Sequence, residues 1–182
     1  MTWRNTHARY GSLSIALHWS MLVLLAATYA CIELRGQFAR GSGARVLIVQ
    51  FHFMLGLSVG LLVWLRLLAR SLGVTPSIVP PLPAWQTRLA SLMHLALYAL
   101  MIGLPLLGWL ILSAQNRPVS FWGIELPHLI GEDRDLGGRL QEWHMRIAGW
   151  GYWLIGLHGL LGLGHHYLRG DNTLRRMLPQ RD

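Results

Sequence analysis

Between Trp143 and His166 the sequence WHMRIAGWGYWLIGLHGLLGLGHH is apolar enough to cross a membrane, yet it carries four histidines. His144, Gly151, His158 and His165 recur every seven residues. Seven residues advance an α-helix by about two turns and roughly 10 Å, so these four positions lie close to one stripe. His144 and His158 are separated along it by roughly 21 Å. A lone histidine in an apolar helix is commonly just a hydrogen-bonded polar residue. Four in one span, two of them matched at like depth by histidines elsewhere, point further, because ionisable groups inside a membrane are costly and functional by default. Imidazoles at two depths, with bare backbone at Gly151 between them, suit two flat cofactors better than one metal ion. The stripe predicts a helix that ligates two haems, one toward each membrane face.

The other apolar residues come in blocks, not in amphipathic stripes: 53% of the 182 residues are hydrophobic and 13% charged. Such blocks predict an integral membrane protein of the all-α class, a four-helix bundle. All 16 basic residues are arginine, and the net charge is +8. In a soluble protein that surplus points to nucleic acid. Here the arginines flank apolar runs, so topology and membrane lipid account for them, and no nucleic-acid partner is expected. The single cysteine, Cys31, excludes an internal disulfide and a C-x-x-C-H haem attachment. The first apolar run is too long for a removable signal peptide and lacks its cleavage site.

Read in order, the chain is a single transmembrane domain over 1–182, with spans at about 13–32, 46–68, 89–112 and 143–167. His18, His52 and His94 each fall near the start of a span. Gly56 and Gly60 stand at helical spacing beyond His52, which serves either close helix packing or room for a porphyrin edge. TPSIVPPLP at 75–83 reads as an extended linker, and Pro105 as a kink in the third span. The longest loop, Ser113–Glu142, has room for a short surface helix. Arg4, Arg9, Arg66, Arg70, Arg88, Arg169, Arg175, Arg176 and Arg181 flank one side, nine in all; Arg35, Arg40, Arg45, Arg117, Arg134, Arg139 and Arg146 flank the other, seven. The bias places both termini in the cytoplasm.

That topology gives each histidine a height. His52 and His144 fall in the outer half, His18 and His158 in the inner half. Two level pairs result, and bis-histidine ligation makes a haem that moves electrons instead of binding oxygen. His94 also starts on the inner side and reaches the level of His158, and His165 lies one step further along the stripe. Depth alone does not choose between His18 and His94.

Essentially the whole chain resembles the small bacterial four-helix cytochrome b561 family, and within it the inner-membrane superoxide oxidases. The resemblance rests on LHW at 17–19, ELRG at 33–36, QFH at 50–52, TPSIVPPLP at 75–83, WH at 143–144, GLH at 156–158, and HHY with DNTLRRMLP across 165–179. It implies two non-covalent haems b, held by His18 with His158 and by His52 with His144. It also implies a ubiquinone site near the inner haem, with His94 and His165 as candidate contacts. The absence of lysine departs from the relatives, which use it among their surface cations.

The function expected is a superoxide:ubiquinone oxidoreductase of the bacterial inner membrane. Superoxide is a one-electron anionic reductant and ubiquinone takes two electrons, so two haems in series join them. Arg35, Arg40, Arg45, Arg117 and Arg139 are candidates for an electropositive mouth; lipid headgroups or haem propionates are the alternative partners of these arginines. Another reading keeps the haems and makes the chain the membrane subunit of a dehydrogenase or hydrogenase. A third, a histidine-lined zinc or proton transporter, lacks the intramembrane carboxylates such a pathway uses. Oligomeric state is not legible.

Overall fold

The computed structural model describes residues 2–179; Arg181, counted above among the inner-side arginines, lies outside them. The described residues form four long helices: α1, Ser12–Leu34; α2, Gly43–Ser71; α3, Ala84–Ala114; and α4, Arg134–Tyr167. In lipid no water satisfies backbone amides, so an apolar block must bond its own backbone as a helix. Each helix also runs past the apolar block that requires it. The largest extension is at the start of α4, which begins nine residues before Trp143. Asp133 sets that start, its Oδ1 accepting the amide of Leu136 at 2.9 Å as a side-chain cap.

Three of the helices are long and apolar enough to cross a membrane: α1 with the 3₁₀ turn after it, α2 and α3. At 34 residues α4 has the length, but its glycines, histidines and indoles dilute its apolarity. Val23, Leu61, Trp64, Leu92, Leu95, Trp150, Trp153 and Leu160 all face outward. So much exposed apolar surface requires lipid as its solvent. The protein is an integral membrane protein of the all-α class.

The loop between α3 and α4 does not hold the short helix expected of it. It forms an antiparallel hairpin, β1 Val119–Phe121 with β2 Ile124–Leu126, in the register Val119↔Leu126. Its two-residue turn places Trp122 at φ 48° and Gly123 at φ 88°, the pair of positive values that matches strand twist. A tryptophan is costly there, and its indole is tied down by a 3.0 Å hydrogen bond from Nε1 to Ser58 Oγ. The segment 74–83 is free of helix, as its prolines predict.

By its contacts the chain divides into two compact units. The terminal unit comprises the N-terminal segment to Ser20, Trp64–Ala99 and the chain from Trp150 onward. The loop unit comprises Met21–Val63 and Leu100–Gly149. Within the loop unit the core is apolar: Met21, Val59, Val63, Leu112, Ala114 and Val119 are each at most 3% exposed. Gly60 stands against Pro105, where a Cβ would come within 3.1 Å of the ring, whereas nothing lies within 4 Å of a Cβ at Gly56. Close packing accounts for Gly60 and not for Gly56.

Polar clasps hold the terminal unit. Asn172 donates its amide to the Val79 carbonyl (3.2 Å), and Val79 returns its own to Asn172 Oδ1 (2.9 Å). Arg176, 8% exposed, donates Nη1 to the Pro76 carbonyl and lies over the Tyr10 ring. Trp19 Nε1 donates to the Met177 carbonyl at 2.7 Å. At Gly11 a Cβ would fall 2.4 Å from the Trp3 carbonyl oxygen, so only glycine lets the N-terminal segment fold back there.

Candidate functional site

Two imidazole pairs are the centre of the molecule's chemistry. In the loop unit, His52 from α2 faces His144 from α4 with ring centroids 6.2 Å apart. In the terminal unit, His18 from α1 faces His158 from α4 at 6.3 Å. A metal–imidazole bond of about 2 Å, with roughly 1.2 Å more from nitrogen to ring centre, would put imidazoles on opposite sides of one metal about 6.4 Å apart. Both pairs are spaced so that the two imidazoles could hold one iron between them.

The loop-unit pair is held from several sides. His52 Nδ1–H donates to the Thr28 carbonyl at 2.9 Å, which fixes the tautomer and leaves Nε2 its lone pair for a metal. Tyr29 OH donates to the Ala148 carbonyl at 2.9 Å, tying α1 to α4 one turn beyond His144. Gly108 lies beside His144 Cε1. Phe53 packs edge-on to His52, and the Arg117 guanidinium lies 5.5 Å over the Phe53 ring.

In the terminal unit three imidazoles converge, not two. His94 from α3 lies 5.7 Å from His158, closer than a trans pair across iron. The Arg66 charge acts on His18, His94 and His158, and the Arg70 charge on His94.

The buried polar atoms provide a second test of fit. His18 Nδ1 and His144 Nδ1 are buried without a hydrogen-bond partner. The Leu104 carbonyl stands beside His144 but outside hydrogen-bond geometry. Such orphans cost about 1–3 kcal/mol each. Packing alone offers nothing to offset that. Among the described residues no three of His, Cys, Asp and Glu, the three imidazoles of the terminal unit included, are arranged to hold a bare metal ion. Haem fits these residues.

His165 lies at the end of α4, and its neighbour was not legible in the stripe. Nδ1 of His165 bonds Asp171 Oδ2 at 2.7 Å, and the Asp171 side chain is fully buried. Gly170, at φ +71°, turns the chain back after the helix, and the Asp171 amide reaches the His165 carbonyl. The contact depends on that turn and not on helical period, so spacing gave no sign of it. The only signal available was Asp171 as the first residue of DNTLRRMLP.

The five candidate arginines of the mouth separate into three kinds. The charge of Arg35 acts on His52, and Arg117 approaches His52 through Phe53. Arg45 instead donates Nη1 to the carbonyls of Arg35 (3.0 Å) and Phe38 (3.1 Å), closing the 3₁₀ turn that follows α1. Arg40 and Arg139 are exposed.

Residues 9–180 match the prokaryotic cytochrome b561 family. The chain belongs to this family. Cytochrome b561 homolog 1 of Escherichia coli (strain K12) is 39% identical over 173 residues, covering 95% of this chain and 98% of the relative. The Yersinia pestis protein named probable superoxide oxidase CybB is 35% identical over 175 residues, covering 96% and 98%. Cytochrome b561 homolog 2 of Escherichia coli (strain K12) is 30% identical over 186 residues, covering 98% and 95%. The cytochrome b561 family binds haem b, so this is a membrane electron-transfer protein of the oxidoreductase type.

Proposed function

We propose that this cytochrome b561 binds two haems b and oxidises superoxide at the loop unit while reducing ubiquinone at the terminal unit, in the bacterial inner membrane with both termini cytoplasmic. The observation that carries the reading is the pair of imidazole separations, 6.2 and 6.3 Å. On this reading His52 and His144 hold one iron, and His18 and His158 the other.

Bound haem supplies reversible one-electron transfer with no open coordination position. His52 presents Nε2 because the Thr28 carbonyl holds its Nδ1–H. Arg35 and Arg117 raise the local concentration of an anionic donor by about tenfold or more. Each superoxide gives one electron and leaves as O2, and ubiquinone takes two electrons and two protons to become ubiquinol. His94 and His165 are the candidate contacts for the quinone. The name of the Yersinia pestis relative supports the donor; the resemblance and the terminal histidines support the acceptor.

The test is ubiquinol formation by the purified protein in liposomes, with superoxide generated outside. Two superoxide consumed per ubiquinol formed is the expected result. Failure of superoxide to reduce the haems would replace it with a protein donor, as in a dehydrogenase subunit.

A further inference from the structure

We infer that Asp171 is the positioning residue of a His165–Asp171 pair that delivers protons to the quinone. The inference rests on the proposed reduction of ubiquinone beside His165. The geometry is that of a carboxylate orienting an imidazole: Nδ1 to Oδ2 is 2.7 Å, the carboxylate is wholly buried, and the imidazole is 23% exposed. The carboxylate accepts from Nδ1–H, so Nε2 is the edge that remains for a substrate. A carboxylate so placed selects one tautomer and stabilises the imidazolium that forms when Nε2 takes a proton, as in acyl-transfer triads.

Closing the end of α4 does not require a buried acid. Gly170 already makes the turn, and the amides of Leu168, Arg169 and Asp171 already cap carbonyls of the last turn. A buried carboxylate is costly unless a partner needs it. Asp171 is nevertheless held firmly. Its Oδ1 accepts the Thr173 amide at 2.9 Å, and Asn172 binds Val79 on one side and the Ser77 carbonyl on the other. Arg176 provides a balancing positive charge. Burial by itself pushes the Asp171 carboxyl up, but the Thr173 amide and His165 outweigh it and hold it below the ordinary carboxylate value. Asp171 therefore stays ionised while the imidazole exchanges protons.

The proton transfer balances simply. As ubiquinone takes two electrons, Nε2–H of protonated His165 gives one proton to the nearer quinone oxygen, and the other oxygen takes its proton from water. The ring left behind is neutral, with Nδ1–H still on Asp171, and Nε2 takes the next proton from water. Two protons leave the aqueous phase per ubiquinol.

Asp171→Asn, Asp171→Glu and His165→Ala in the full haem-loaded protein test this, with ubiquinone-1 as acceptor and superoxide as donor. His165→Ala is expected to lower kcat by about tenfold or more, the loss of a positioned proton donor. Asp171→Asn is expected to lower kcat by a similar factor at unchanged KM, with haem spectra and haem reduction by superoxide unaltered. Its solvent deuterium isotope effect on kcat should rise. Asp171→Glu keeps the charge but displaces it, and should recover part of the rate; it also decides the matter if the Asn variant loses its haems. A wild-type kcat in either Asp171 variant, or slowing with an unchanged isotope effect, overturns the inference. A wild-type rate in His165→Ala instead overturns the quinone reading beneath it.

Discussion

The two units hold the same kind of imidazole pair by opposite means. In the loop unit the buried residues are apolar apart from Ser113, and His52 is fixed by a backbone carbonyl. In the terminal unit the buried groups include Asp171 and Arg176, and His18 and His158 are joined by a third imidazole and a fourth on a carboxylate. On the proposed function, the difference answers to what each unit would handle. A site that only accepts electrons from a small anion needs two ligands, a rigid wall and nearby cations. A site that makes a quinol also needs protons, and protons need titratable groups whose own charges are paired. Polar clasps permit that, and an apolar core does not.

The largest expected effect breaks the comparison at its most ambiguous point, the three-imidazole cluster. His18→Ala should remove the terminal-unit haem and spare the other, because His18 stands 6.3 Å from His158, the spacing of the loop-unit pair at 6.2 Å, whereas His94 stands at 5.7 Å. His94→Ala should keep both haems. Haem content and the reduced absorption spectrum of each variant check this, and loss of haem in His94→Ala with retention in His18→Ala reverses the assignment.

This is also where the sequence was least informative. Period and depth place histidines along a helix axis, which was enough to pair His52 with His144 and to bring His18, His94 and His158 to one level. Choosing among those three requires rotation about each axis, which spacing does not encode once three helices contribute. The hairpin was missed because its turn is Trp122–Gly123 and not Asn-Gly or Asp-Gly, and tryptophan is disfavoured at the positive φ that such a turn requires. The functions of Gly56 and Gly60 looked alike for a similar reason: which glycine meets Pro105 depends on a neighbouring helix.

A moderate effect distinguishes the arginines of the loop unit. Arg117→Ala should slow haem reduction by superoxide severalfold at low ionic strength, and the deficit should shrink as salt screens the field. Arg45→Ala should leave that rate alone and lower stability by about 1 kcal/mol, since it removes hydrogen bonds to two exposed carbonyls. Stopped-flow rates against salt, with melting temperatures alongside, separate the two roles. A salt-dependent rate loss in Arg45→Ala would return that residue to the mouth.

The smallest effect concerns acid. The Asp171 carboxyl sits below its ordinary value of 3.8 in the folded protein. Its contribution to stability is therefore complete above that ordinary value and is lost as pH falls through the lowered one. The melting temperature of the wild type should exceed that of Asp171→Asn at neutral pH, and the gap should close below about pH 4. A gap independent of pH would mean that the Asn variant loses shape and not charge.

The central claim, two irons each held between two imidazoles, is tested most directly by the haem-to-polypeptide ratio of the purified protein, read with its oxidised and reduced spectra. The account predicts two non-covalent haems b per chain, both low-spin, because each pair fills both axial positions. A ratio near one, or a high-spin spectrum from an open coordination position, would contradict it.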